Sequence, residues 1–112
     1  MARDQISTEL WLTAGLNRCS KQGTPATVIR RGESQSGTVV LKINQFEDGC
    51  RILTQGRDNN GKLTWLPALN DTLVEESVAD SYLERTANRD PDIWIIEIEN
   101  RSGWHPFQSG LF

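Results

Sequence analysis

Apolar and polar positions are most sharply ordered after Pro91. In Asp92-Ile93-Trp94-Ile95-Ile96-Glu97-Ile98-Glu99, side chains of a strand alternate so that Trp94, Ile96 and Ile98 share one wholly apolar face, while Ile93 and Ile95 give way to Glu97 and Glu99 on the other. The pattern predicts an inner strand of a sheet. Its second face is too apolar at one end to be left wet, and a homodimer contact or the C-terminal tail is expected to cover it.

Upstream, Leu12 and Leu16 recur four residues apart with Trp11, Gly15 and Cys19 beside them, which predicts a helix capped by Ser7 and stopped by Gly23 and Pro25. Thr24 to Arg31 reads as a strand, Gly32 to Gly37 as a polar turn, and Thr38 to Phe46 as the antiparallel partner. Glu47-Asp48-Gly49 is a tight turn, after which Cys50 to Gln55 pairs back to extend a meander. Arg57 to Gly61 is loop-like, and Lys62 to Leu66 forms a fourth strand before Pro67. A second helix follows, with Thr72…Glu75 and Ser77…Asp80 as rival capping boxes and a buried stripe of Val74, Val78, Tyr82 and Ala79, Leu83, Ala87. It ends by Asp90, because a residue before proline avoids the helical region.

Composition keeps this picture globular: 24% of the 112 residues are charged and 37% hydrophobic, and a chain of this length fits one domain, 1–112, with an apolar tail over 101–112. The expected fold class is α+β, a mostly antiparallel four- to five-stranded sheet with two helices packed on one face, Trp94, Ile96 and Ile98 meeting Val39, Leu41 and Ile43 beneath them. No apolar stretch is long enough for a signal peptide or a membrane span, so a cytoplasmic location is expected. Cys19 and Cys50, far apart, suit two packed thiols better than a disulfide or zinc site. The net charge of −3 argues against attraction of the whole surface to nucleic acid or anionic lipid, though not against a local basic stripe.

Several blocks carry a resemblance: Trp11 with Arg18-Cys19, Pro25-Ala26, Val28 to Gly32 with Arg30-Arg31-Gly32, Lys42-Ile43-Asn44, Ala79 to Leu83, and Asp90-Pro91-Asp92-Ile93-Trp94 with Glu97-Ile98-Glu99. Together they resemble a bacterial family of short proteins classed as a domain of unknown function. The resemblance covers nearly the whole chain, is weakest from Arg57 to Asn70, and implies a compact α+β domain. It carries over no catalytic residue.

Three groups of side chains are candidate sites. Arg30, Arg31 and Lys42 offer forked and point-charge donors for a phosphate, a carboxylate or nucleic acid, but consecutive strand residues point to opposite faces, and one arginine has Glu97 or Glu99 as an alternative partner across the sheet. Glu97 and Glu99 with Asp90, Asp92 and His105 form the acid/base set, weighed against turn formation by the two aspartates around Pro91. Asp58-Asn59-Asn60-Gly61 lacks the spaced ligands and closing glutamate of a calcium loop and reads as a turn. The tail Gln108-Ser109-Gly110-Leu111-Phe112 resembles the peptides that dock on the DNA polymerase sliding clamp, with Gln108, Leu111 and Phe112 as contacts; alternatively Trp104, Phe107, Leu111 and Phe112 fold back over a core edge. Trp11, Trp65, Trp94 and Tyr82 read as core. The function expected is a non-enzymatic interaction or regulatory module with a protein partner and no metal or cofactor; anion or nucleic-acid binding and clamp docking are the alternatives.

Overall fold

The computed structural model describes residues 6–107. Its elements run α1 (Thr8–Lys21), β1 (Ala26–Arg30), β2 (Val39–Asn44), β3 (Cys50–Arg57), β4 (Leu63–Pro67), α2 (Glu76–Arg89) and β5 (Trp94–Glu99). Helix α1 starts where expected: the Ser7 hydroxyl accepts the Leu10 N–H at 3.2 Å, satisfying one of the donors a helix leaves open at its start. Neither capping box of the second helix forms. Helix α2 begins after Glu75, whose side chain makes no cap, and Ala79 and Leu83 are its buried stripe, while Val78 is exposed and Val74 lies before the helix in a bridge to Cys50.

The five strands form one α+β sheet in the order β1-β5-β2-β3-β4, antiparallel except for the β2·β5 pair. The last strand is an inner one, as its pattern predicts. It lies between β1 and β2, so the hairpin expected of those two is not formed. A strand apolar on both faces gains most with a neighbour on each edge and cover on each side. The polar turn after β1 instead runs along the start of β5: the Glu33 N–H donates to the Asp92 carbonyl at 3.0 Å, and the Trp94 indole N–H donates to the Glu33 carbonyl at 2.8 Å. Gly32 permits this approach, since a Cβ there would sit 2.3 Å from the Asp92 carbonyl oxygen.

Each face of the sheet has its own core. Val39, Leu41 and Ile43 of β2 join Trp94, Ile96 and Ile98 of β5 under Trp11 and Leu12 of α1. The alternate residues Val40, Ile52, Ile93 and Ile95 pack with Ala79 and Leu83 of α2. The two helices therefore lie on opposite faces rather than on one. Helix α2, not a second protomer or the tail, covers Ile93 and Ile95.

The tail segment closes the α1 side. Phe107 is 0% exposed, its ring centroid 4.8 Å from that of Trp11, and Gly15 makes the seat, because a Cβ at residue 15 would fall 2.1 Å from the Phe107 ring. The Trp65 indole N–H donates to the Phe107 carbonyl at 2.8 Å, and the Arg18 guanidinium to the Pro106 carbonyl at 3.3 Å. Phe107 is thus part of the core, as the fold-back reading expects of it. Gln108, Leu111 and Phe112 lie outside the described residues.

Candidate functional site

The groups singled out from sequence are mostly committed to one another. Lys42 lies on the α2 side of β2 in register with Glu97 of β5. Its ammonium donates to Glu76 and Asp80 of α2, each at 2.7 Å, and sits 3.4 Å from Glu97, with the side chain only 5% exposed. Burial works to lower its pKa, but the hydrogen bonds to Asp80 and Glu76 and the charge of Glu97 outweigh that and hold it above the ordinary lysine value. Asn44 donates to the same Glu97 carboxylate at 3.1 Å. The partner of Glu97 is therefore this lysine and not an arginine of β1.

Arg30 and Arg31 diverge, as alternation requires. Arg30 donates to the Pro91 carbonyl at 2.8 Å, while Arg31 pairs with Glu9 of α1 at 2.8 Å and lies over the Trp94 ring, 5.0 Å from its centroid. The three cations of the expected anion site are not brought together. The Arg30-Arg31-Gly32 and Asp90 to Trp94 blocks that make the chain distinctive meet each other instead, in a clasp that fixes where β5 begins.

The acid/base set is dispersed as well. Asp90 accepts the Asp92 N–H at 3.1 Å in a turn, Glu97 is held by Lys42, and His105 lies on the opposite face, edge-on to Trp65 with ring centroids 5.8 Å apart. Its Nδ1 accepts the Phe107 N–H at 3.2 Å. Asp58 accepts the N–H groups of Asn60 and Lys62 at 2.9 and 3.0 Å, the turn expected there. Cys19 and Cys50 are free and buried, and burial pushes both thiols up in pKa. Among the described residues no group of three or more His, Cys, Asp or Glu side chains is placed to hold a metal ion.

Burial lowers the His105 pKa from 6.5 to about 4. Between those values the unfolded chain binds a proton that the folded one refuses, so stability falls as pH drops from about 6.5 to about 4 and levels off below. At about 1.4 kcal/mol per pH unit the loss is of the order of 3 kcal/mol. Urea titrations from pH 7.5 to 4.5, above the range in which the lowered Glu33 carboxyl contributes, are expected to show that slope in the wild type and lose it in His105→Phe.

One surface was not foreseen from sequence. Residues 44–50 and 73–76 enclose an open groove of about 380 Å³ between the β2–β3 turn and the strand-like segment before α2, tied together by the Cys50 and Val74 backbones at 2.7 and 2.9 Å. Phe46 and Leu73 line it at 43% and 41% exposure. Phe46 has φ +61, a left-handed conformation that a bulky residue seldom adopts. Asn44 Oδ1 holds it there by accepting its N–H at 2.9 Å, and Arg101 both stacks on the ring and pairs with Glu47. The other wall is approached through three consecutive left-handed residues, Leu69, Asn70 and Asp71, at φ +56, +59 and +54. Arg51 lies 3.6 Å from Asp71, and the Thr72 hydroxyl donates to the Leu69 carbonyl at 2.8 Å. Asn70 and Asp71 are residue types that tolerate left-handed φ, but Leu69 is not, and nothing in its sequence context announces three such residues in a row.

No curated protein matches this chain. A DUF1491 family protein from Caulobacter crescentus CB15 is similar to it in two solved structures: the crystal structure has 35% identity and a TM-score of 0.81, with 91% of this chain and 94% of that one covered. Its NMR structure aligns at 35% identity and a TM-score of 0.76, covering 90% and 91%. The solution structure of Atu0922 from A. tumefaciens shares the fold at 19% identity and a TM-score of 0.71, over 85% and 86% of the two chains. The family model described as a protein of unknown function, DUF1491, matches residues 6–108, and the chain therefore belongs to the DUF1491 family.

Proposed function

We propose that the protein is a non-enzymatic interaction module that docks a protein partner in the groove between residues 44–50 and 73–76. The observation that carries this reading is Phe46, a large aromatic kept partly in solvent on left-handed backbone beside an equally exposed Leu73. Strained conformations persist where surrounding structure enforces them, and they concentrate at binding and switch regions. The chemistry-bearing side chains point the same way: Lys42 with Glu97 on one face and His105 on the other hold the fold together rather than converging on a substrate-sized space.

A residue at Phe46 that serves binding is dispensable for folding. In Phe46→Asn, asparagine tolerates left-handed φ, which relieves about 1–2 kcal/mol of backbone strain, while the lost contact with Arg101 costs about 0.5–1 kcal/mol. The urea midpoint is expected to stay level or rise. A photo-crosslinking amino acid at residue 73 in cells expressing the protein is expected to trap discrete partner adducts that Phe46→Asn abolishes, with none from the more exposed control position Leu10. Equal trapping at residues 10 and 73, or a Phe46→Asn variant that unfolds, would remove the basis of the reading.

A further inference from the structure

The groove combines its apolar walls with a concentrated negative field. Glu47, Asp48, Glu75 and Glu76 line it, and no lysine or arginine does. Glu76 is shared with the Lys42 cluster, which adds Asp80 and Glu97 on the same side of the sheet. Six carboxylates thus stand against Lys42 and Arg101, with the Arg51–Asp71 pair beside them adding one charge of each sign, in one region of a chain whose whole formal charge is −3. Asp48 and Glu75 have no ion-pair partner among the described residues, and both border the apolar surface of Phe46 and Leu73.

Resting on the docking function proposed above, we infer that the occupant is a short basic and apolar protein segment, an aliphatic or aromatic anchor flanked by lysine or arginine. A volume of about 380 Å³ is at the small end for ligand sites, which run from roughly 300 to 1,000 Å³, and has room for one or two anchoring side chains. Apolar anchors supply affinity at the centre of such a site, while complementary charge at its rim selects the partner and speeds encounter. The same field repels nucleic acid and anionic membranes, whose phosphates would face these carboxylates.

The test uses fluorescein-labelled dodecapeptides of matched length read by anisotropy: leucine with lysine, leucine with glutamate, leucine with serine, and lysine with serine. The leucine–lysine peptide is expected to bind at least ten-fold more tightly than the other three, to weaken as salt rises, and to shift the backbone amide signals of Phe46, Leu73 and Glu75 in 15N NMR spectra. Leu73→Ser is expected to weaken it ten-fold with the remaining spectrum unchanged, and the Asp48→Lys, Glu75→Lys double variant to transfer the preference to the leucine–glutamate peptide. Equal binding of the leucine–serine or leucine–glutamate peptide at those residues would overturn the charge inference and leave the docking function standing. A dimer in sedimentation that Leu73→Ser dissociates would assign the groove to a second copy and overturn it too. If no peptide moves those signals, and crosslinking from residue 73 also yields nothing, the docking function falls with it.

Discussion

Replacing Phe107 with alanine is expected to lower stability by about 4 kcal/mol, a large share of the 5–15 kcal/mol typical of a domain. The ring is fully buried among Trp11, Trp65 and His105, with centroids 4.8, 6.3 and 6.4 Å away. It occupies the hollow left by Gly15, so its removal opens a cavity that helix α1 and the sheet, both held elsewhere, cannot close. The backbone of residue 107 also anchors the Trp65 indole, a hydrogen bond that survives the substitution only if the tail stays in place. Gly15→Ala probes the same contact from the other side. Alanine in a helix interior is favoured over glycine by about 1 kcal/mol, yet the new methyl would lie 2.1 Å from a ring with nowhere to go, and overpacking costs about 1–3 kcal/mol. A net loss is therefore expected for a substitution that helix propensity alone scores as a gain. Urea denaturation followed by tryptophan fluorescence measures both, and a loss below about 1 kcal/mol for Phe107→Ala would show that the tail is not part of the core.

The strand after Pro91 was legible because its alternation survives in any context: Trp94, Ile96 and Ile98 face one way wherever the strand is placed. Less legible was that the other face is core too. Val39-Val40-Leu41 and Ile93 to Ile96 are continuous apolar runs, the mark of strands buried on both sides, and such strands require a layer above and a layer below. The alternating half of β2 taken alone predicts both helices on one face and a homodimer or tail over Ile93 and Ile95, where α2 in fact lies. The hairpin expected of β1 and β2 fails for a related reason. Short polar turns favour hairpins, but the turn after β1 is occupied by backbone bonds to Asp92 and an indole bond from Trp94, so it spans an inserted strand rather than closing a pair.

The candidate groove was hidden for a different reason. Its walls rest on left-handed backbone at Phe46 and at Leu69 to Asp71; Asn70 and Asp71 are types that visit that state, but Phe46 and Leu69 carry no sequence mark of it. Glu47-Asp48-Gly49 was visible as a turn, with Gly49 at φ +108 as turn chemistry requires, but the aromatic held out before it was read as the end of a strand. In sequence Lys42 reads as a charge available to an anion, whereas the fold commits it to three carboxylates. A lone lysine within an apolar run signals a buried cation, and a buried cation implies carboxylates brought from other elements.

Lys42→Met is the sharper test of that reading, with an expected loss of about 3 kcal/mol. Methionine fills the space of the aliphatic stem but leaves Glu97, 15% exposed, beside Glu76 and Asp80 with no cation between them. The two carboxylates of α2 are half in water and recover hydration, so the cost falls mainly on Glu97 and on α2 being pushed from the sheet. In the wild type, with the Lys42 pKa raised, the contribution of the cluster is complete below pH 10.5 and is lost as pH climbs through the folded value. Pairing the change with Glu97→Leu removes the stranded charge from its register neighbour, and the double variant is expected to regain most of the stability, giving a coupling energy of roughly 2 kcal/mol in a double-mutant cycle. A double variant no more stable than Lys42→Met would mean that the stranded charge of Glu97 is not what costs the single variant its stability.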